Sequence, residues 1–189
     1  QSRAGKEDTA QSVAVSGWNE DILAGPQNTT ITMAVVDARS DNNFYSLANQ
    51  TVTYASGDDD SAGFTVTESS GSTGVSETGS TDTFTVVLTA EPSSNVVITA
   101  SSSDSGEATV GAPLTFTTSN WDTAQTVTVT GVNDDIIDGS QNTTITMAVV
   151  DASSDNNFDS LANQTVTAAT ADDDSAGFTV TESSGSTGV

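Results

Sequence analysis

Apolar and polar residues alternate one by one along most of this chain, the period of a strand with one dry face and one wet face. Between residues 61 and 174 the alternation predicts strands near 62–68 (AGFTVTE), 82–90 (DTFTVVLTA), 95–102 (NVVITASS) and 113–118 (PLTFTT). Others follow near 124–131 (AQTVTVTG), 141–151 (QNTTITMAVVD) and 163–170 (NQTVTAAT). Phe64, Val66, Phe84, Val86, Leu88, Phe116, Val127, Val129, Ile145, Met147 and Val149 then face inward, and the Thr and Ser between them face water. Thr is β-branched and suits such a half-wet sheet. Clusters of Gly, Asp, Asn and Ser punctuate every interval, and no segment carries a helical period. Seven short strands in about 110 residues predict an all-β, immunoglobulin-like antiparallel sandwich. Phe158 and Leu161 are expected to plug the loop DASSDNNFDSLANQ onto the core, and Trp121 to anchor its edge.

The pattern also repeats itself. Residues 25–75 return as 139–189, a shift of 114 residues, with six changes: Pro26/Ser140, Arg39/Ser153, Tyr45/Asp159, Tyr54/Ala168, Ser56/Thr170 and Gly57/Ala171. Upstream the match is looser, AQSVAVSGWNEDILAG at 10–25 against AQTVTVTGVNDDIIDG at 124–139. The expected organisation is an incomplete copy at 1–60, a complete copy at 61–174 and the first strand of another at 175–189. Such a period is far longer than that of a solenoid, so each copy should bury a core of its own. Near-identical copies in series suit extended fibres and stalks rather than enzymes.

Charge narrows the function classes. There are 26 acidic residues against three basic ones and no histidine. Arg3, Lys6 and Arg39 all precede residue 61, so the copy at 61–174 holds 16 Asp and Glu and no Lys or Arg. Nucleic acid is excluded as a partner, because phosphate binding needs clustered cations. An anionic membrane surface is disfavoured on the same ground, and no apolar run is long enough to insert. Without cysteine there are no disulfides and no thiolate metal sites. Without His or Cys, and with no Lys in the complete copy, Ser-His-Asp, Cys-His and Ser-Lys devices are excluded there. A carboxylate pair for glycoside hydrolysis would want a cleft with aromatic platforms. Aromatics are 5% of the chain, so no enzymatic activity is expected.

Three acidic features remain. Glu68 closes the first strand; Asp134, Asp135 and Asp138 fall in the turn VNDDIIDG; Asp172, Asp173 and Asp174 end the last strand. Close carboxylates repel by roughly 1 kcal/mol per pair even in water, and no basic side chain is available to offset it. Ca²⁺ takes six to eight oxygens at about 2.3–2.6 Å and tolerates irregular acidic loops. Mg²⁺ tolerates them less, and zinc lacks its usual ligands. Calcium is the expected cofactor.

FTVTE at 64–68, DDIID at 134–138 and the terminal DDD at 172–174, together with SSSDSGEATVGAPLTFTTSNWDTAQTVTVTGVNDD at 101–135, resemble the Calx-beta domain, including copies arrayed in large bacterial adhesins. The resemblance covers 61–174 and, in truncated form, 1–60. It implies a calcium-binding sandwich with ligands at Glu68, Asp134, Asp135, Asp138, Asp172, Asp173 and Asp174, and with Asp104 as a weaker candidate. Asp138 departs from the pattern, since many members carry Glu there. In the first copy it implies Glu20, Asp21, Asp58, Asp59 and Asp60, with Ala24 where the next copy has Asp138. Glu182 stands where Glu68 stands one copy earlier.

The expected function is therefore a structural, calcium-stiffened segment of a secreted or cell-surface bacterial adhesin, stalk or filament. Its partners would be neighbouring copies of the same repeat or other filament subunits. The alternative is a calcium-dependent module that binds glycan or protein through its loops. Near-identity of the copies favours the first, since SDNNFYSLANQ and SDNNFDSLANQ differ at one position. Sequons at Asn28, Asn49, Asn142 and Asn163 matter only in a host that glycosylates Asn.

Overall fold

In the first of the two compact units of this computed structural model, Gln1–Asp58, strands β1 (Gln27–Met33) and β2 (Gln50–Ser56) form an antiparallel hairpin. Residues 11–182 and 185 are described. The ladder runs from Gln27 opposite Ser56 to Met33 opposite Gln50. Two single 3-10 turns, Asp37–Arg39 and Asn42–Phe44, fill the connecting loop. Asp41 caps the second by accepting from the Asn43 amide at 2.9 Å. Met33 and Val52 alternate onto one face of the hairpin, and both are exposed.

The second unit, Asp59–Val189, contains β3 (Phe64–Glu68), β4 (Thr73–Ser76), β5 (Thr81–Leu88), β6 (Val96–Ser102) and β7 (Ala108–Val110). It continues with β8 (Leu114–Phe116), β9 (Gln125–Gly131), β10 (Gln141–Val149) and β11 (Gln164–Ala171). One sheet has the order β4-β11-β10-β6-β8 and the other β3-β5-β9-β7. They face each other as a sandwich. Every second residue points inward, so Phe84, Val86, Phe116, Val129, Ile145 and Met147 are completely buried. Each such side chain contributes about 1.5–3 kcal/mol by leaving water. Phe158 is buried with them, whereas Val66, Val149, Leu161 and Trp121 are half-buried at the rim. The Trp121 carbonyl accepts from the Leu88 amide at 3.2 Å, which prolongs the β5–β9 pairing beyond Val86 and Gln125. No helix among the described residues is long and apolar enough to cross a membrane.

All seven strands read from the alternation are present, displaced by at most two residues at either end. Two were not expected, β4 and β7. The chain leaves β3, turns at Gly71 (φ 79°) and enters the opposite sheet without reversing. For that reason β4 lies parallel to β11, with Thr73 opposite Ala168 and Ser76 opposite Ala171, the single departure from antiparallel strand pairing among the described residues. Gly131 makes this crossing possible. A Cβ on it would stand 2.1 Å from the Ser76 carbonyl oxygen, so only glycine lets the end of β9 pass the end of β4.

The register of β10 and β11, from Gln141 opposite Thr170 to Met147 opposite Gln164, repeats that of β1 and β2 with the 114-residue shift. In the loop after β10, Asp155 is buried and accepts from the Ser93 amide and hydroxyl, each at 2.6 Å. The Ser94 and Asn157 amides also donate to it, at 3.1 and 3.0 Å. Burial pushes this carboxyl up, but the four hydrogen bonds outweigh it and hold its pKa below the ordinary value. Residues 175–182, expected to open a further strand, join no ladder and leave Phe178 and Val180 exposed. The rest of that segment, like residues 1–10, lies outside the described residues, residue 185 excepted.

Candidate metal centre

Strands β4, β9 and β11 all finish at one end of the second unit, and β5, β7 and β10 start there. Residues just beyond those strand ends must therefore meet at one pole. Glu77 follows β4, Glu107 precedes β7, Asp134–Asp138 follow β9, and Asp172–Asp174 follow β11. One carboxylate oxygen each from Glu77, Asp172 and Asp174 lies within 4.8 Å of the other two.

Backbone hydrogen bonds fix these groups. The Glu77 amide extends the β4–β11 ladder to Ala171 O at 3.1 Å, and Glu77 Oε2 accepts from the Asp173 amide at 3.4 Å. Asp172 accepts from two amides, Gly139 at Oδ2 and Asp174 at Oδ1, each at 2.7 Å. The Glu107 carbonyl accepts from the Val132 amide at 2.9 Å and from Thr170 Oγ1 at 3.3 Å, which ties it beneath the acidic turn. Within that turn Asp134 Oδ1 accepts from the Ile136 amide at 2.7 Å.

The side chains are left in an unfavourable state. Glu77 is 1% exposed and Glu107 9%. Glu77 Oε1, Glu107 Oε2 and Asp174 Oδ2 are buried without a hydrogen-bond partner. Burial pushes the Glu77 carboxyl above its ordinary pKa, against the Asp173 amide, and the charges of Asp172, Asp134 and Asp138 push it further. Glu107 is raised by burial and then by Asp138, Asp134, Asp104 and Asp172. Asp174 is raised by burial and then by Asp172, Asp135, Asp173 and Asp134. An orphaned buried carboxylate oxygen costs stability at neutral pH, and three at one acidic pole cost more. A hard divalent cation removes both the repulsion and the unmet acceptors. The donor set is all oxygen, partly buried and free of basic neighbours, which suits Ca²⁺.

The structure thus brings Asp134, Asp135, Asp138, Asp172, Asp173 and Asp174 to one pole. It does not bring Glu68 into the group. Glu68 is half-buried where the chain crosses between sheets, and its Oε2 accepts from Thr73 Oγ1 at 2.8 Å. Asp104 is exposed and caps its own turn through the Gly106 amide at 2.9 Å. In the first unit Asp58 Oδ2 accepts from the Gly25 amide at 2.6 Å, while Glu20 and Asp21 are exposed. Asp59 and Asp60 fall in the second unit, the former exposed and the latter half-buried. Glu182 is exposed. Glu77 and Glu107, the two most buried acids of the pole, were not anticipated. A signal for Glu77 does exist. It continues the inward row of Thr73 and Val75 at period two, so a charge stands where a core residue is due.

No protein-family model and no curated protein matches the chain. Among solved structures, it is similar to SSP-19, an MSP-domain protein like family member in Caenorhabditis elegans. The identity is 16%, the TM-score 0.37, and the alignment covers 56% of this chain and 97% of that one. It is also similar to the apo form of the Calx CBD1 domain at 12% identity and a TM-score of 0.38, over 59% of this chain and 98% of that one. Both alignments extend over nearly the whole of those chains.

Proposed function

We propose that the second unit is a calcium-binding domain, and that it serves as a structural segment of a secreted or surface-exposed protein whose successive copies are stiffened by the ion. One observation carries the reading: three buried carboxylate oxygens without hydrogen-bond partners lie at the pole, and no Lys or Arg occurs between residues 40 and 189. Bound there, Ca²⁺ would supply the positive charge that the chain lacks. Glu77, Asp172 and Asp174 would provide the inner oxygens, Glu107 would close the floor, and Asp134, Asp135 and Asp138 would approach from the turn. Asp174 is followed directly by the sequence that begins the next copy, SAGFTVTE at 175–182. An ion held by Asp174 would therefore fix the direction in which the chain leaves the domain.

Binding to the folded state stabilises it by about 2.7 kcal/mol when calcium stands a hundredfold above its dissociation constant. The test is calorimetric titration of the chelator-stripped chain with CaCl₂ and MgCl₂, together with small-angle scattering before and after chelation. Saturable heat with calcium, weaker heat with magnesium and a shorter maximum dimension after chelation are expected. Absence of calcium binding overturns the site, and binding without any change in dimension overturns the stiffening role alone.

A further inference from the structure

Asp138 is the one Asp or Asn in the chain that is followed by glycine. It is exposed, in the turn between β9 and β10 that belongs to no ladder. Its neighbour Gly139 sits at φ 76°, and beyond the adjoining residues no atom lies within 4 Å of where a Cβ would stand. No side chain therefore screens the Gly139 nitrogen from that side. Its N–H is fixed in direction, because it donates to Asp172 Oδ2 at 2.7 Å. A side-chain carboxyl, the main-chain nitrogen of the next residue and a carboxylate in contact with that nitrogen's proton stand together. Those are the parts of an intramolecular acylation: an electrophile, a nucleophile and a base within hydrogen-bond reach.

The first copy supplies the comparison. Gly25 has the same left-handed conformation, φ 66°, and donates to Asp58 Oδ2 at 2.6 Å. Nucleophile and base are both present there. Residue 24 is alanine, however, so no carboxyl precedes that glycine. The complete set belongs to the second unit alone.

We propose that Asp138 and Gly139 form a site of self-modification, where the chain closes a succinimide and reopens it as isoaspartate, with Asp172 as the proton acceptor. The Gly139 nitrogen bonds to Asp138 Cγ while its N–H proton passes to Asp172 Oδ2. The C–O bond to the carboxyl hydroxyl then breaks, and the hydroxyl leaves as water with the proton returned from Asp172. Water adds back at either ring carbonyl. Addition at Cγ restores aspartate. Addition at the main-chain carbonyl leaves the backbone running through Cβ and Cγ, one methylene longer and unchanged in composition. The β9–β10 connection is then lengthened beside its own latch, which draws the Gly139 amide away from Asp172 and slackens the pole. Resting on the calcium reading given above, an ion that holds the carboxylates of Asp138 and Asp172 halts the reaction, and a pole left without its ion wears out.

The test holds the full chain, stripped of calcium, in a prolonged warm incubation at neutral pH. Digestion by a protease that cuts before aspartate, followed by mass spectrometry, locates the product, and an isoaspartate-specific carboxyl methyltransferase counts it. Isoaspartate should accumulate at residue 138 ahead of every other position, with cleavage there falling in step. Asp172→Asn leaves an oxygen for the Gly139 amide but removes the base, and should slow the rise by about a hundredfold, the lower end for a positioned base. Ala24→Asp should open a second site at residue 24, and adding Asp58→Asn should slow that one alike, whatever the state of the second unit. No isoaspartate at residue 138, or equal rates with and without the base at both sites, overturns the proposal. Saturating calcium should slow the unaltered chain as well. Undiminished reaction under calcium that calorimetry shows to be bound overturns the protection by the ion alone, whereas absence of binding overturns the calcium site and leaves the metal-free time course standing.

Discussion

The Gly139 amide donates to Asp172 Oδ2 across 2.7 Å, and one repeat earlier Gly25 donates to Asp58 Oδ2 across 2.6 Å. Both glycines sit in the left-handed region, with φ of 76° and 66°. That conformation aims the N–H back at the strand leaving the hairpin, so the acidic triplet is oriented by the same hairpin that carries it. Replacing Gly139 with alanine should cost about 1 kcal/mol of left-handed strain. It should also loosen Asp172 and so weaken calcium binding. Melting and calcium titration of Gly139→Ala check both parts; unchanged affinity with lowered stability would detach the latch from the site.

Glu77→Gln separates stability from binding. Glu77 is the most buried acid at the pole, and its charge is opposed by burial and by three neighbouring aspartates. The neutral amide removes that conflict, so the metal-free protein should melt higher than the unaltered chain. With calcium the order should reverse, because a ligand oxygen and its charge are gone. Differential scanning calorimetry with and without calcium gives the comparison, and a variant less stable in both conditions contradicts this account.

The pH dependence follows from two opposed sets of carboxyls. Glu77, Glu107 and Asp174 have raised pKa values, so the folded chain holds protons that the unfolded chain releases. Their stabilisation is complete below the ordinary carboxylate range of about 4 and is lost as pH rises through the raised values. Asp155 and Asp82 are lowered, the latter by the Gly74 and Thr83 amides and the Ser69 hydroxyl. Their stabilisation is present above about 3.9 and is lost as pH falls through the lowered values. Metal-free protein should therefore be most stable at about pH 4–5 and weaken toward neutrality, and saturating calcium should abolish the weakening. A metal-free melting temperature that climbs steadily to pH 7 would contradict the strained pole.

Gly131 and Gly17 occupy equivalent positions in the repeat but should respond differently. Gly131→Ala forces a methyl against the Ser76 backbone and should destabilise the second unit by about 3 kcal/mol. Gly17→Ala meets only the ends of the Tyr54 and Ser56 side chains, at 3.6 and 3.8 Å, and should change stability by less than about 0.5 kcal/mol. Chemical denaturation of the two variants decides the point.

What the sequence disclosed followed from its period. Phe84, Val86, Phe116, Val129, Ile145 and Met147 recur at every second position, and all are core. TGVS and ATV are too short to carry a period of their own, so β4 and β7 escaped notice. β4 lacks a hairpin signal as well, because it pairs in parallel with a strand far away in sequence. The acidic turn and the triplet were legible as clusters, and the run of strand directions explains why they meet. Glu107 was not, because it is a lone acid among small residues that only tertiary packing makes a buried neighbour of the others. The phase of Glu77 with Thr73 and Val75 counts only once β4 is known to be a strand. Glu68 stands out in the sequence as an acid closing a strand, and the resemblance implies it as a ligand; the crossing to β4 sets it beside Thr73, whose hydroxyl donates to it.

The parallel lie of β4 and β11 has a consequence under tension. β3 enters the second unit at the end away from the acidic pole, with Phe64 opposite Leu88, and β11 leaves at the pole. Opposing pulls on the two ends of this unit therefore draw β4 and β11 past one another lengthwise. The four rungs from Thr73–Ala168 to Ser76–Ala171 are loaded together, in shear, rather than parted one after another as in a hairpin peeled from its tip. Rupture then requires several hydrogen bonds to fail at once, and the joint that takes this load ends at Glu77, beside Asp172 and Asp174.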